Sequence, residues 1–218
     1  MILALVGPSG SGKSVVSKSL ECFYEVLRTP SMTDEIYERY DSVIIEAVKE
    51  LLTSPCRTQG EKIVVKEVVS HTTRQNRLGE VHGKHYFFVT VKEFLALIKY
   101  DETLYCDNYY GLTKKAVDEV LACSEIAIVV VDRLGVENIK KITANVKSLF
   151  LKTTPEVMKA HMVARGDSEE LIQKRLNNAV INGELEYSTA DYTIENVDKL
   201  VNTLKQIIPI VEQLRKAS

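Results

Sequence analysis

A chain of 218 residues, 45% of them hydrophobic, is long enough to bury one core of ordinary domain size. Its formal net charge of −2 and pI near 6.1 argue against a nucleic-acid binder, which would need a basic surplus for phosphate contacts. Cys22, Cys56, Cys106 and Cys123 are irregularly spaced with no C-x-x-C pair, and no apolar stretch approaches the ~18 residues of a membrane span, so the expectation is a soluble, cytoplasmic protein with reduced thiols.

Strands are predicted at Ile2 to Val6, Lys62 to Ser70, His85 to Val89, Thr103 to Cys106, Ile126 to Asp132, Val146 to Leu151 and Tyr192 to Glu195, from their β-branched and aromatic content. Helical spacing predicts Ser14 to Leu27 and a single helix carrying Ile36, Tyr40, Val43, Ile44, Ala47, Val48, Leu51 and Leu52, stopped by Ser54-Pro55. Further helices are expected over Val91 to Lys99, Lys114 to Ala122, Pro155 to Arg165, Ser168 to Glu184 and Val197 to Ile208, with Pro209 kinking or restarting the last. No repeat, low-complexity linker or charge block marks a boundary, so one continuous unit is expected. The run Ile126 to Val131 reads as a central strand buried on both faces, giving an α/β domain with a largely parallel core sheet.

The segment Gly7-Pro8-Ser9-Gly10-Ser11-Gly12-Lys13-Ser14 matches G-x-x-x-x-G-K-[ST] between a strand and a helix. Its glycines let backbone N–H groups close on an anion, which assigns Ser9, Gly10, Ser11, Gly12, Lys13 and Ser14 to a nucleoside triphosphate. Lys13 would reach the β/γ oxygens and Ser14 would ligate Mg²⁺. Downstream, Arg74 and Arg77 stand three apart in a loop and offer forked donors suited to a phosphate. Asp132 ends the most apolar strand, where ligands of such sheets bind; it either organises Mg²⁺ or its waters, or plainly caps a helix or forms an ion pair.

The stretch from Ser70-His71-Thr72-Thr73-Arg74-Gln75-Asn76-Arg77-Leu78-Gly79-Glu80 to Tyr86-Phe87-Phe88-Val89 resembles the monophosphate-binding segment of guanylate kinases. The likeness continues in order through Asn108-Tyr109-Tyr110-Gly111, Asp132-Arg133-Leu134-Gly135, Arg165-Gly166-Asp167-Ser168 and Lys174-Arg175-Leu176. The resemblance implies that Arg74, Arg77, Tyr86 and Tyr110 hold a monophosphate and that Ser70 helps read its base. It makes Arg165 and Arg175 lid arginines that, with Lys13, carry the catalytic charge; for the tyrosines sheet packing is the rival reading, and for Arg165 the end of its helix at Gly166. A third lid arginine of many relatives falls on His161, and an earlier acid in the Asp132 strand falls on Val130.

The base-reading positions depart from the family pattern. The acid that pairs with guanine corresponds by ungapped count to Asp101, one methylene shorter, beside Glu102; the hydroxyl expected after Gly111 is Leu112, with Thr113 following. The stretch from about Phe23 to Gly60 is longer than the family's path, and its extra amphipathic helix either packs on the core, forms a subunit contact or covers the acceptor site. The expected architecture is therefore a P-loop kinase fold, α/β, with a largely parallel core sheet (1–22, 114–153 and 188–218), an inserted helical segment (23–60), a small mixed-sheet monophosphate-binding region (61–113) and a helical lid (154–187). The implied activity is Mg²⁺-dependent transfer from ATP to a nucleoside monophosphate, GMP or dGMP first, by a monomer or homodimer without nucleic-acid or membrane partners. A kinase for another monophosphate or a sugar phosphate, a non-catalytic binding module, and an ATP-hydrolysing regulator remain the alternatives.

Overall fold

In β1 (Ile2–Val6) the side chains alternate between two cores, as a strand covered on both faces requires. Leu3 and Leu5 join one apolar cluster and Ile2, Ala4 and Val6 the other. The computed structural model describes residues 1–53 and 63–216. After β1 come α1 (Lys13–Arg28), a 3₁₀ turn (Pro30–Met32), α2 (Thr33–Tyr37), α3 (Ser42–Thr53), β2 (Val65–Glu67), β3 (His71–Thr72) and β4 (Phe87–Phe88). The chain continues through α4 (Val91–Leu95), β5 (Lys99–Tyr105), β6 (Asn108–Thr113), α5 (Lys114–Leu121), β7 (Ile126–Val130), α6 (Arg133–Ile142) and β8 (Val146–Lys152). It ends with α7 (Pro155–Ala164), α8 (Glu169–Ile181), β9 (Tyr192–Glu195) and α9 (Leu200–Lys216).

The main sheet has the order β2-β7-β1-β8-β9, and every pairing in it is parallel. α1, α3 and α9 cover one face and α5 and α6 the other. A second sheet, β4-β3-β6-β5, is mixed: β3 pairs parallel with β4, while β6 pairs antiparallel with both β3 and β5. A parallel sheet with covered faces beside a smaller mixed sheet is the predicted α/β architecture. Met158, Met162, Ile172 and Ala179 form a third, smaller cluster that joins α7 to α8.

Several expected elements change at their ends or divide. The single helix predicted through Ile36 and Leu52 is two, α2 and α3, because Arg39 and Tyr40 donate to the carbonyls three residues back and form a tight turn. Both pieces still bury their apolar stripes, Ile36 and Tyr37 in the first and Ile44, Ala47, Val48 and Leu51 in the second. The predicted stop at Ser54-Pro55, Cys56 and the beginning of the expected Lys62 strand lie outside the described residues. α4 ends at Leu95, so Lys99 opens β5 instead of closing a helix. α9 runs unbroken through Pro209. β3, β6 and α6 were not predicted; α6 is set by Asp132, whose carboxylate accepts from the Gly135 N–H and caps the first turn.

Candidate active site

The cradle begins where β1 meets α1. Gly12, the residue before α1, has φ of 85°, and a Cβ there would stand 3.0 Å from the Asn196 amide nitrogen, so both backbone and space call for glycine. Asn196, after β9, fixes the turn from outside: its amide donates to the Ser11 carbonyl at 2.6 Å and its oxygen accepts from Thr203 at 2.6 Å. On the opposite side His161 of α7 donates from Nδ1 to the Gly10 carbonyl at 2.8 Å. Lys13 is folded into the turn, its ammonium donating to the carbonyls of Gly7 at 2.6 Å and Pro8 at 2.8 Å. Burial lowers its pKa to about 8, with Glu184 pulling the other way and Arg165 adding to the fall.

The loop after β3 is pinned to β6. Thr72 Oγ1 donates to the Tyr109 carbonyl at 2.9 Å, and Tyr109 N donates to Thr73 Oγ1 at 2.9 Å. Arg74 makes a bidentate pair with Glu80, both bonds at 2.6 Å, and its guanidinium lies 5.1 Å from the Tyr86 ring centre and 5.4 Å from that of Phe88. Burial alone would lower the Arg74 pKa, but the Glu80 pairing outweighs it and the net shift is upward. Tyr86 and Tyr110 meet edge to face at 6.1 Å, and burial raises the Tyr86 phenol to about 12, so its hydroxyl keeps its proton at neutral pH. Arg77 moves the opposite way from Arg74: burial lowers its pKa, and Arg74, Arg165 and Arg175 add to the fall against the pull of Asp167.

The opposite wall is made by β5, β6 and α6. Asp101 is 7% exposed and accepts from Asn138 Nδ2 of α6 at 3.0 Å, and burial raises its pKa. Asp132 uses Oδ1 for the Gly135 N–H and Oδ2 for the Thr103 hydroxyl, both at 2.8 Å, so its capping role is realised and it also binds β5 to α6. Leu112 is only 1% exposed and belongs to the core cluster with Val68 and Val117. Thr113 does not replace the missing hydroxyl, because its side chain accepts from the Ala116 N–H and caps α5.

All these walls face one cavity of about 790 Å³. It brings together Ser9, Gly10, Gly12, Lys13, Ser14, Ser70, Arg74, Arg77, Tyr86, Asp101, Tyr110, Asp132, Arg165 and Arg175; Ser11 lies buried beneath it with its hydroxyl unpaired. Arg165 is the last residue before Gly166 at the end of α7, yet it lines the cavity too. The described part of the inserted segment, up to residue 53, packs on the core through α3, and where α3 begins Asp41 and Val43 line the cavity. Sequence reading missed Thr103, Tyr105, Glu184 and Asn196 as lining residues, and gave no role to Glu80 and Asp167 although it quoted both. An acid two or three residues after an arginine, as in Arg165-Gly166-Asp167 and in Arg77-Leu78-Gly79-Glu80, was the available signal.

Among the described residues no three His, Cys, Asp or Glu side chains gather in a way that could hold a metal alone. A hydroxyl and a carboxylate, hard oxygen donors of the kind that Mg²⁺ takes one or two of alongside phosphates and water, do line the cavity at Ser14 and Asp132. Ser14 is exposed on the first turn of α1, and Asp132 is near enough to raise the pKa of Lys13. No helix among the described residues is long and apolar enough to cross a membrane.

A sequence model described as guanylate kinase matches residues 48–213, beginning after the cradle and α2. The chain is 39% identical over 155 residues to a guanylate kinase of Escherichia coli K12, covering 67% of this chain and 74% of that one. It is 38% identical over 177 residues to a guanylate kinase of Haemophilus influenzae, covering 77% and 81%. The solved guanylate kinase of Anaplasma phagocytophilum superposes with a TM-score of 0.62 at 19% identity, over 99% of this chain and 86% of that one, a likeness of fold.

Proposed function

The chain belongs to the guanylate kinase family, and from that premise we propose that it transfers the γ-phosphoryl group of ATP to GMP or dGMP, giving ADP and the diphosphate. As a member it is a nucleoside monophosphate kinase; the acceptor, the mechanism and the residue roles are the proposed part. One observation carries the reading. A single cavity holds the Gly-rich turn with Lys13, the Arg74, Arg77, Tyr86 and Tyr110 group, Arg165 just after α7, and Arg175 on α8.

Arg74, Arg77, Tyr86 and Tyr110 grip the acceptor phosphate, and Ser70 and Asp101 meet the base. An acceptor oxygen attacks the γ-phosphorus in line, the bond to the β,γ-bridging oxygen breaks, and ADP leaves without a covalent enzyme intermediate. Lys13, Arg165 and Arg175 stabilise charge that spreads over the transferred group. Ser14 and Asp132 would hold Mg²⁺ with the nucleotide phosphates, and the ion supplies further neutralisation of the phosphate charge. The region 61–113 and the lid 154–187 close over the core and exclude water that would hydrolyse ATP.

Guanine follows from Asp101, a carboxylate that accepts from the N1 and N2 donors that guanine presents and adenine does not. A coupled ADP-release assay with ATP, Mg²⁺ and a panel of ribo- and deoxyribonucleoside monophosphates tests the proposal. GMP and dGMP are expected to lead; preference for AMP, CMP or UMP, or no acceptor-dependent ADP release, rejects it.

A further inference from the structure

Asp167 lies in the turn between α7 and α8, its side chain 3% exposed, and three guanidiniums close on its carboxylate. Oδ2 accepts from Arg165 Nε and Nη2 at 2.8 and 2.6 Å and from Arg175 Nη1 at 2.6 Å, while Oδ1 faces Arg77 Nε at 3.4 Å. Arg165 and Arg175 come from the ends and middle of the helical pair, but Arg77 comes from the loop after β3. The same carboxylate therefore spans two segments that are far apart in the chain and that carry the two halves of the proposed phosphate site.

Charge explains why one acid is needed at this point. Three guanidiniums gathered around one spot repel each other, and Arg77 already feels Arg74, Arg165 and Arg175 as neighbours that disfavour its cation. Glu80 does not answer this demand: both of its oxygens are engaged by Arg74, and although it also pairs with the Arg77 guanidinium at 3.6 Å and accepts from the Arg77 N–H, it does not reach across to the lid, where Arg165 and Arg175 pair with Asp167. A single buried carboxylate opposing three cations holds them together and leaves a positive excess for phosphate oxygens. We propose that Asp167 is a positioning residue that ties Arg77 of the acceptor loop to Arg165 and Arg175 of the lid, so that one carboxylate sets the two phosphate-binding arms relative to each other. This rests on the reading that Arg77 meets the monophosphate and the lid arginines the triphosphate.

The test combines kinetics with a measurement independent of activity. In Asp167→Asn, kcat is expected to fall about 10-fold or more while the KM values for ATP and GMP each move less than about threefold, and Asp167→Glu, which keeps the charge, recovers part of the loss. Amide hydrogen exchange without nucleotide is expected to speed up in both residues 74–80 and residues 163–168. Exchange rising only in 163–168, as loss of a local turn contact would produce, or an unchanged kcat, overturns the proposal. Should Asp167→Asn fail to fold, Arg77→Ala decides the matter from the other side: exchange in 163–168 rises if the tie exists and stays at the wild-type rate if it does not. Arg77→Ala also separates this inference from the parent reading, since an unchanged KM for GMP would reject the latter whatever the exchange shows.

Discussion

The side of the cavity proposed for phosphate and the wall proposed for the base are built on different principles. On the first, long cations are held by carboxylates: Arg74 by Glu80, and Arg77, Arg165 and Arg175 by Asp167. On the second, short side chains are fixed by strand register and core packing: Asp101 sits opposite Leu112 across β5 and β6, Asn138 holds Asp101, and Thr103 holds Asp132. A phosphate is the same on every nucleotide, so forked cations held in place serve it whatever base it carries. A base must be told from other bases, and that takes polar groups that cannot move to satisfy the wrong partner.

The largest effect is expected on the phosphate side. Lys13→Ala should lower kcat by about 10²- to 10³-fold, as removal of one donor to developing charge does, with circular dichroism unchanged because Lys13 lies on the cradle and not in a core cluster. A kcat near that of the wild type would break the assignment.

On the base wall, the first cost of change should be stability. Leu112→Ser restores a hydroxyl near the base but removes a side chain packed with Val68 and Val117, and is expected to lose about 3 kcal/mol in urea unfolding. A loss under about 1 kcal/mol would mean that Leu112 belongs to the cavity more than to the core.

A third carboxylate sharpens the contrast by lacking a guanidinium. Glu80 has a pKa below the ordinary glutamate value, because its bonds from Arg74 and the Arg77 N–H outweigh the upward push of burial. Glu67, at the end of β2, pairs with no guanidinium among the described residues; burial pushes it up to about 7, with the Lys18 ammonium at 4.0 Å and the Ser17 hydroxyl pulling the other way and Glu21 adding to the rise. A carboxyl raised in the folded state contributes stability that is fully present below its unfolded pKa, near 4.5, and is lost as pH rises through about 7. Glu67→Gln should therefore gain on the wild type between pH 5 and pH 8, by on the order of 2–3 kcal/mol, in urea unfolding at the two pH values. A pH-independent difference would contradict the shift.

The same division decided what the sequence revealed. β1 and β9 were legible to the residue, and the Gly-rich turn and the Arg74 and Arg77 pair stood out by residue type and spacing, whereas Arg165 and Arg175 came from the resemblance; all of them line the one cavity. β3 and β6 were not, since His71-Thr72 and Asn108 to Thr113 lack a clean apolar alternation and become strands through long-range pairing. α6 carries its apolar residues Val136 and Ile139 at helical spacing, which went unread, and its other signal, Asp132 as a cap, competed with a reading as a metal ligand. Glu80 and Asp167 were visible as acids near arginines, but which arginine each one holds depends on how the loop and the lid approach in space. Leu112 was read as a lost polar contact; its burial depends on β6 lying over Val68 and Val117.

The most direct test is the ratio of kcat/KM for GMP to that for AMP, measured in the wild type, Arg74→Ala and Asp101→Asn. Arg74→Ala should weaken both acceptors by about 10- to 100-fold, the worth of a charged hydrogen bond, and leave the ratio unchanged. Asp101→Asn should reduce the ratio by about 5- to 10-fold through GMP alone. A ratio that falls as much in Arg74→Ala as in Asp101→Asn, or that does not move in Asp101→Asn, would contradict the division of the cavity into a side that grips phosphate and a wall that reads the base.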